Sequence, residues 1–281
     1  MNKTLIILLL QVCTCYLSAQ SVSYSETDSL KAVELIRLAM RQDGNGILYL
    51  ARQLREVPYV GKTLEVNCQE RLVINLQELD CTTFVENVLA LYQCVLEKDD
   101  SFERFCHHLQ RIRYADGHVD YTSRLHYFSH WIEDNSAKGI VEEQTSVQPP
   151  FTARQTINVH YMSTYPEKYP ALMNDSSKIM EICKMENRIN GKTIRYIPQE
   201  AVKNSAMMRQ TVKDGDILAI VTNKKGLDIS HVGFAVWKKD GLHMIHASST
   251  YHKVIEDSLT MGTYLRKHAS QIGLRVVRPR H

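Results

Sequence analysis

The stretch HVGFAVWKKDGLHMIHAS, His231–Ser248, decides how this chain is read. Val232 to Trp237 and Leu242 to Ala247 are strand-like runs, and Lys238 to Gly241 separates them as a hairpin turn. The turn length matters for the two histidines. If residues 238–241 form a four-residue loop, Trp237 faces Leu242 and His231 faces Ser248. His246 is then the diagonal neighbour of His231 on one sheet face, about 7–8 Å away backbone to backbone. A tighter Asp240-Gly241 turn keeps both on one face but sets them four residues apart. A paired-histidine site therefore predicts the looser turn.

Reading outward, Asp214-Gly215-Asp216 introduces a further strand at Ile217–Val221, and Leu274–Val277 supplies another. Upstream the pattern is helical. Residues 27–41 and 46–55 read as amphipathic helices, the second ended by Val57-Pro58, and Arg71–Leu76 as a short strand. Ser101–Ile112 and Ser123–Asn135 are two more helical patterns, followed by a long irregular stretch through Gln148-Pro149-Pro150 and Tyr165–Pro170. Helices first and an antiparallel sheet afterwards give an α+β domain. Residues 20–281 are read as one domain with a long insert at about 98–215.

The strongest helical pattern begins at Asp80. At 100° per residue, Phe84, Val85, Val88, Tyr92 and Val95 fall within about 60° of Cys81, while Cys94 falls on the far side. Cys81 thus heads the apolar stripe at the helix N-terminus. Unpaired N–H groups and the helix dipole favour an anion there, and such placement can lower a thiol from about 8.5 to between roughly 3.5 and 7.5. Read alone, a cysteine on an apolar stripe is most often inert core. A histidine pair changes that weighting: His231 can serve as base and proton donor, and His246 can orient it through its second ring nitrogen.

Composition narrows the classes. The 281 residues are 44% hydrophobic, and 34 Lys+Arg against 31 Asp+Glu leave +3, too little for a nucleic-acid or anionic-membrane footprint. Lys3, the apolar run from Leu5 to Leu10 and on to Leu17, and Ser18-Ala19 read as an export signal over residues 1–19, with no transmembrane segment elsewhere. A lipid anchor on Cys13 or Cys15 lacks the usual small residue before the cysteine. Cleavage leaves Cys68, Cys81, Cys94, Cys106 and Cys183, an odd number with no zinc-site spacing. His126 and His130 stand four apart, but Tyr127 occupies the place where a metallopeptidase helix carries Glu. Tyr127 and Trp131 are read there either as pocket-lining aromatics or as core.

These residues carry a resemblance. Asp80-Cys81-Thr82-Thr83-Phe84-Val85, Asp214-Gly215-Asp216, Ser230-His231-Val232-Gly233-Phe234 and Met244-Ile245-His246-Ala247-Ser248 resemble, in order and spacing, the NlpC/p60 superfamily of papain-like cysteine peptidases and amidases. The Trp-Gly-Gly usual after the family's Pro-Tyr is replaced by Val60-Gly61-Lys62, and the gap between cysteine and sheet is long. With Val57-Pro58-Tyr59-Val60-Gly61 and Ser123–Phe128 followed by Trp131, those departures are similar to the bacterial branch catalogued as domain of unknown function 1460. The resemblance implies a papain-like fold, Cys81 as nucleophile, His231 as base and His246 as third residue. It implies oxyanion or substrate-binding positions at Tyr59, Asp80, Ser230, Arg124, Tyr127 and Trp131, and requires no metal or cofactor. It further implies an N-acetylmuramoyl-L-alanine amidase-like activity on muropeptide fragments in the periplasm, by a monomer. A γ-D-glutamyl-diamino acid endopeptidase of the same fold and a non-catalytic wall-fragment binder are the alternatives. The roughly 40 residues before Tyr59 leave no room for a wall-targeting module, so short fragments are the expected substrates.

Overall fold

The structure, a computed structural model, describes residues 22–280, so the export-signal reading of residues 1–19 lies outside the described residues. The chain opens with a strand β1 (Val22–Ser23) and two helices, α1 (Glu26–Ala39) and α2 (Gly46–Gln53). Ser25 caps α1 in a reciprocal box with Asp28, and the Asn45 side chain caps α2. A short strand β2 (Leu72–Val73) pairs with β1 in parallel, ahead of helices α3 (Cys81–Glu97), α4 (Phe102–Arg113) and α5 (Phe128–Ala137).

The segment expected to be irregular is structured. It holds β3 (Val141–Gln144), β4 (Ala153–Thr156), α6 (Tyr161–Thr164), α7 (Ser176–Ile189), β5 (Thr193–Pro198) and α8 (Ala206–Thr211). Helix α7 has the Asp175 cap and buries Ile182, Met185 and Ile189 at helical spacing. Strands β6 (Ile217–Thr222), β7 (Ile229–Trp237), β8 (Leu242–Ser248) and β9 (Lys253–Glu256) follow, then helix α9 (Met261–Arg266) and strand β10 (Gln271–Pro279).

Eight strands form one sheet in the order β4-β5-β10-β6-β7-β8-β9, with β3 also paired to β10. Every pairing in it is antiparallel. Alternation along the strands sorts the core. Val232, Phe234 and Val236 of β7 join Ile245 and Ala247 of β8 in the cluster that holds α1 to α5, whereas Ala235, Leu242 and Met244 pack on α8 and α9. A third cluster, from Tyr121 and Tyr127 to Ile182 and Ile189, gathers residues of the segment between α4 and β6.

Helix α3 is the central helix. Phe84 meets Phe234 of β7 edge to face, with centroids 5.7 Å apart. The side away from the sheet is covered too: Cys94 packs with Phe105, Leu109 and Ile112 of α4 and is fully buried. Within this apolar surround, Glu86 accepts from Arg113 Nε at 2.7 Å, and Arg113 Nη1 donates to the Val73 carbonyl at 2.6 Å. Both charged side chains are shut off from solvent.

The expected helix at Ser123–Asn135 begins only at Phe128. His126 precedes it and donates from Nε2 to the Tyr121 carbonyl at 2.7 Å, so the two histidines do not form an i,i+4 pair on one helix. Among the described residues, no group of His, Cys, Asp and Glu is placed to hold a metal ion.

Candidate functional site

Cys81 is the first residue of α3, where an amide has no intrahelical acceptor. The start of the helix is fixed by Asp80, whose Oδ1 accepts from the Thr83 amide at 2.8 Å while the Thr83 hydroxyl accepts from the Asp80 amide at 2.9 Å. Asp80 is therefore a helix cap, and at least one carboxylate oxygen is committed to that role. Tyr59 is held alongside: its amide donates to the His252 carbonyl at 2.9 Å, and Pro58 and Val60 bracket Leu79 through two backbone bonds. Burial, the Cys81 thiol and the Asp80 charge push the Tyr59 hydroxyl up to about 12, so it remains a proton donor at neutral pH.

The hairpin adopts the looser turn. Trp237 faces Leu242 and Phe234 faces Ile245, with the Lys238 amide donating to the Gly241 carbonyl at 2.9 Å. The two imidazoles meet: His231 Nε2 and His246 Nδ1 are 2.6 Å apart, with the rings at 89°. Two local features make this possible. Between β6 and β7 the register shifts, Ile220 facing His231 while Val221 faces Ile229, which leaves Ser230 as the extra residue of a bulge. The Ser230 hydroxyl donates back to the Ile220 carbonyl at 3.3 Å, an occupation that serves the bulge. At Gly233 a Cβ would stand 2.7 Å from the Ile245 carbonyl oxygen and 2.8 Å from His246 Cβ, so only glycine lets β8 carry His246 this close.

Pairing between β7 and β8 extends from Trp237 to Phe234, while β8 continues with β9 through Ser248. Beyond the last β7–β8 pair, the Val232 amide donates to the Cys81 sulfur, as does the Thr82 hydroxyl. The tip of α3 thus reaches the mouth where two strands part, one residue from His231.

The electrostatics differ from the sequence expectation. Burial, and after it the Asp80 carboxylate, push the Cys81 thiol up to about 12, outweighing the Val232, Thr82 and Cys81 hydrogen bonds that favour a thiolate. Burial and the neighbouring His246 and His268 push His231 down to about 3. Both shifts favour the neutral forms, a thiol at Cys81 and an imidazole at His231. Desolvation outweighs what the amides at the helix start offer the sulfur.

His126 is likewise pushed down to about 3, first by burial and then by the Arg124 charge. Between pH 6.5 and 3 the unfolded chain therefore takes up protons that these two folded imidazoles refuse, and stability falls as pH drops through that window. Each contributes on the order of 2 kcal/mol of destabilisation at pH 5 relative to pH 8. A thermal-unfolding series should show Tm falling well above the range where carboxylates titrate, with a smaller fall in His126→Gln; a level Tm from pH 8 to 5 would refute this.

The remaining expected binding residues lie elsewhere. Trp131 is fully buried, stacked on Phe128 at 4.6 Å between centroids, and presents no face to a ligand. The Tyr127 hydroxyl donates to Glu186 at 2.7 Å and accepts from the Met162 amide at 3.0 Å, which ties the start of α5 and α6 to α7. Arg124 is buried, paired with Glu65 and with Glu70 at 3.2 Å, and lies over the Tyr121 ring. Packing claims all three. A cavity of about 480 Å³ lined by Ser129, Glu143, Lys192 and Arg275 shares no residue with the Cys81 cluster.

Three residues around the histidines were not singled out in the sequence. Tyr264 of α9 meets His246 edge to face at 5.9 Å and is close enough for the Cys81 sulfur to raise its hydroxyl, behind the larger effect of burial. His268 packs against Tyr264 with ring centroids 4.8 Å apart and planes tilted by 33°, and Asp257 lies 3.4 Å from His246 Nε2. The available signal was for Asp257 alone: extending the hairpin argument to the next strand would have put it on the face of His246.

Cys68, Cys81, Cys94, Cys106 and Cys183 are all free thiols. No helix among the described residues is long and apolar enough to cross a membrane.

Known proteins resemble the chain along most of its length. The curated proteins include none that it matches. Among solved structures, an N-acetylmuramoyl-L-alanine amidase from Bacteroides uniformis is 37% identical with a TM-score of 0.77, covering 84% of this chain and 99% of that one. A Bacteroides fragilis protein carrying a provisional xylanase name is 39% identical with a TM-score of 0.75, covering 81% of this chain and 98% of that one. A Legionella pneumophila protein of the DUF1460 family-model is 21% identical with a TM-score of 0.66, covering 90% of this chain and 95% of that one, and shares the fold. The family model described as AmiA-like, N-acetylmuramoyl-L-alanine amidase-like, matches residues 49–272. The chain belongs to the N-acetylmuramoyl-L-alanine amidase-like family, and it is a hydrolase of that kind.

Proposed function

We propose that the chain is an exported cysteine amidase of the papain-like NlpC/p60 type that cleaves the amide between the lactyl group of N-acetylmuramic acid and L-alanine in peptidoglycan fragments. The observation that carries this reading is the pair of contacting imidazoles beside the thiol at the tip of α3, in a chain of an amidase-like family. The residue 1–19 segment fits export to the periplasm, where such fragments occur.

The resting state is neutral, so attack and proton transfer go together. His231 takes the thiol proton as sulfur adds to the lactyl carbonyl carbon. The oxyanion is met by the Cys81 amide at the helix start and by the Tyr59 hydroxyl, kept protonated as described. The imidazolium returns its proton to the alanine nitrogen as the C–N bond breaks, leaving an acyl thioester on Cys81. Water, deprotonated by His231, then adds to the thioester; the muramoyl carboxylate leaves and sulfur regains its proton. The sum is one amide and one water converted to an acid and an amine.

A glycosidase reading, as the xylanase name of the Bacteroides fragilis relative would suggest, requires two carboxyl groups facing each other across the scissile bond. Of the carboxylates beside the cluster, Asp80 caps α3 and Asp257 is buried behind His246.

Product analysis of a defined muropeptide tests the specificity. Mass spectrometry should show free muramic acid-containing sugar and a peptide beginning with L-alanine. A sugar fragment that retains L-Ala-D-Glu identifies the γ-D-glutamyl endopeptidase instead, and binding without turnover identifies a non-catalytic wall-fragment binder; either result defeats the proposal.

A further inference from the structure

Behind His246 lies a buried carboxylate that the scheme above leaves unused. In the β8–β9 register Ile245 faces Glu256 and His246 faces Ile255. One residue further, the Asp257 amide donates to the Met244 carbonyl at 2.9 Å, so Asp257 stands on the face of Met244 and His246 as the diagonal neighbour of the histidine. Asp257 Oδ2 is 3.4 Å from His246 Nε2, and the two side chains are 3% and 1% exposed.

The carboxylate is held from several directions. Its Oδ1 accepts from the Leu259 amide at 2.8 Å, and the Asp257 carbonyl accepts from His243 Nδ1 at 3.0 Å. His243 Nε2 is in turn 3.0 Å from Asp240 in the hairpin turn. Burial opposes the charge on Asp257, yet the His246 contact and the Leu259 amide leave its carboxyl below the usual range. At 3.4 Å the contact is longer than a formed hydrogen bond, and His246 Nε2 has no other partner among the described residues. A buried N–H costs free energy until it finds an acceptor, and Asp257 is the acceptor it faces.

We propose that Asp257 is a positioning residue that fixes the hydrogen-bonded order Asp257–His246–His231 and thereby the tautomers of both imidazoles. The inference rests on the amidase reading for its kinetic consequence but not for its geometric one. The logic is forced by valence. A carboxylate can only accept, so neutral His246 carries its proton on Nε2 and presents a lone pair on Nδ1. His231 must then donate from Nε2 across the 2.6 Å contact, which leaves its Nδ1 as the free lone pair able to take a proton from sulfur. Without the carboxylate, His246 is free to donate from Nδ1, and the lone pair of His231 is consumed on the wrong side.

The other titratable groups about the pair are Cys81 and Asp80 at the tip of α3, Tyr59 before it, His243 on β8, Tyr264 of α9, and His268 after it. None of them bonds His246 Nε2.

The test is Asp257→Asn, which retains an acceptor for the Leu259 amide, with Asp257→Glu as the conservative partner. Long-range nitrogen–proton NMR of the imidazoles should show Nε2–H tautomers for both histidines in the unaltered protein and a changed tautomer population in Asp257→Asn. On a muropeptide substrate kcat should fall roughly 10²- to 10⁴-fold, the range in which losing a triad carboxylate acts, with KM little changed and partial recovery in Asp257→Glu. The acid limb of the pH profile should move to lower pH, because the negative charge that favours the imidazolium is gone. Unchanged tautomers in Asp257→Asn would overturn the proposal, as would unchanged kcat in an active enzyme. If the unaltered protein turns over no muropeptide, the amidase reading fails, and the tautomer populations alone still decide the role of Asp257.

Discussion

Cys81→Ala should lower kcat on a muropeptide by on the order of 10⁵- to 10⁶-fold, as removal of a nucleophile does in a hydrolase that works through a covalent intermediate. The substitution takes away the sulfur on which the proposed thioester would form, and little else. Asp80 still caps α3 through the Thr83 amide, and alanine is a good helix former at the first helical position. The lost contacts are two hydrogen bonds to a neutral thiol, from Val232 and Thr82, so the melting temperature should move by only a few degrees. The same protein should still bind the muropeptide by calorimetry. Retained turnover in Cys81→Ala would remove the cysteine from the chemistry altogether; a melting temperature that collapses with activity would mean that the residue is structural.

Glu86→Ala is expected to be the most damaging substitution away from the site. It leaves the Arg113 guanidinium, itself 1% exposed, without its counter-charge inside the helical core. Breaking a buried pair from one side costs about 3–5 kcal/mol, which in a protein of this size corresponds to a fall in Tm of roughly 10 °C. The Val73 carbonyl that accepts from Arg113 ties β2 into the same network, so disturbance should extend to the β1–β2 pair. Denaturant titration of Glu86→Ala and of the apolar double replacement Glu86→Leu/Arg113→Met separates two effects. The single change should show the full loss of about 3–5 kcal/mol, and the double change should regain much of it, because no charge is left stranded. A single change costing under about 1 kcal/mol would show that water reaches the pair.

The parts of this molecule that the amino-acid order makes legible are those governed by a short period. Helix α3 announces itself through Phe84, Val85 and Val88, and the hairpin through the turn at Lys238–Gly241; a four-residue turn puts His231 and His246 on one face by a period of two, while the contact of the rings needs the bulge at Ser230 and the close approach at Gly233. What resisted reading depends on neighbours far along the chain. That Cys94 would be buried follows from α4 closing over it, and that Trp131 would be core follows from Phe128 and the surrounding helices. Strand β5 and helix α7 carry recognisable patterns of their own, masked by the proline-rich stretches before them. A helix terminus can be located from a cap residue, but the desolvation that raises the Cys81 thiol is a property of the assembled interior, so local pattern does not give the direction of that shift.

Strand β10 lies in the interior of the sheet, with β6 along one edge and β5 and β3 sharing the other. All three partners leave the ribosome before it does. Until residues 271–279 arrive, the edges of those partners that face β10 have no strand to pair with, and β3 and β5 cannot be joined to the histidine hairpin in one sheet. Such long-range closure makes for slow folding. A chain whose central strand is made last stays open until its synthesis is nearly done, an order that would suit the export proposed for it.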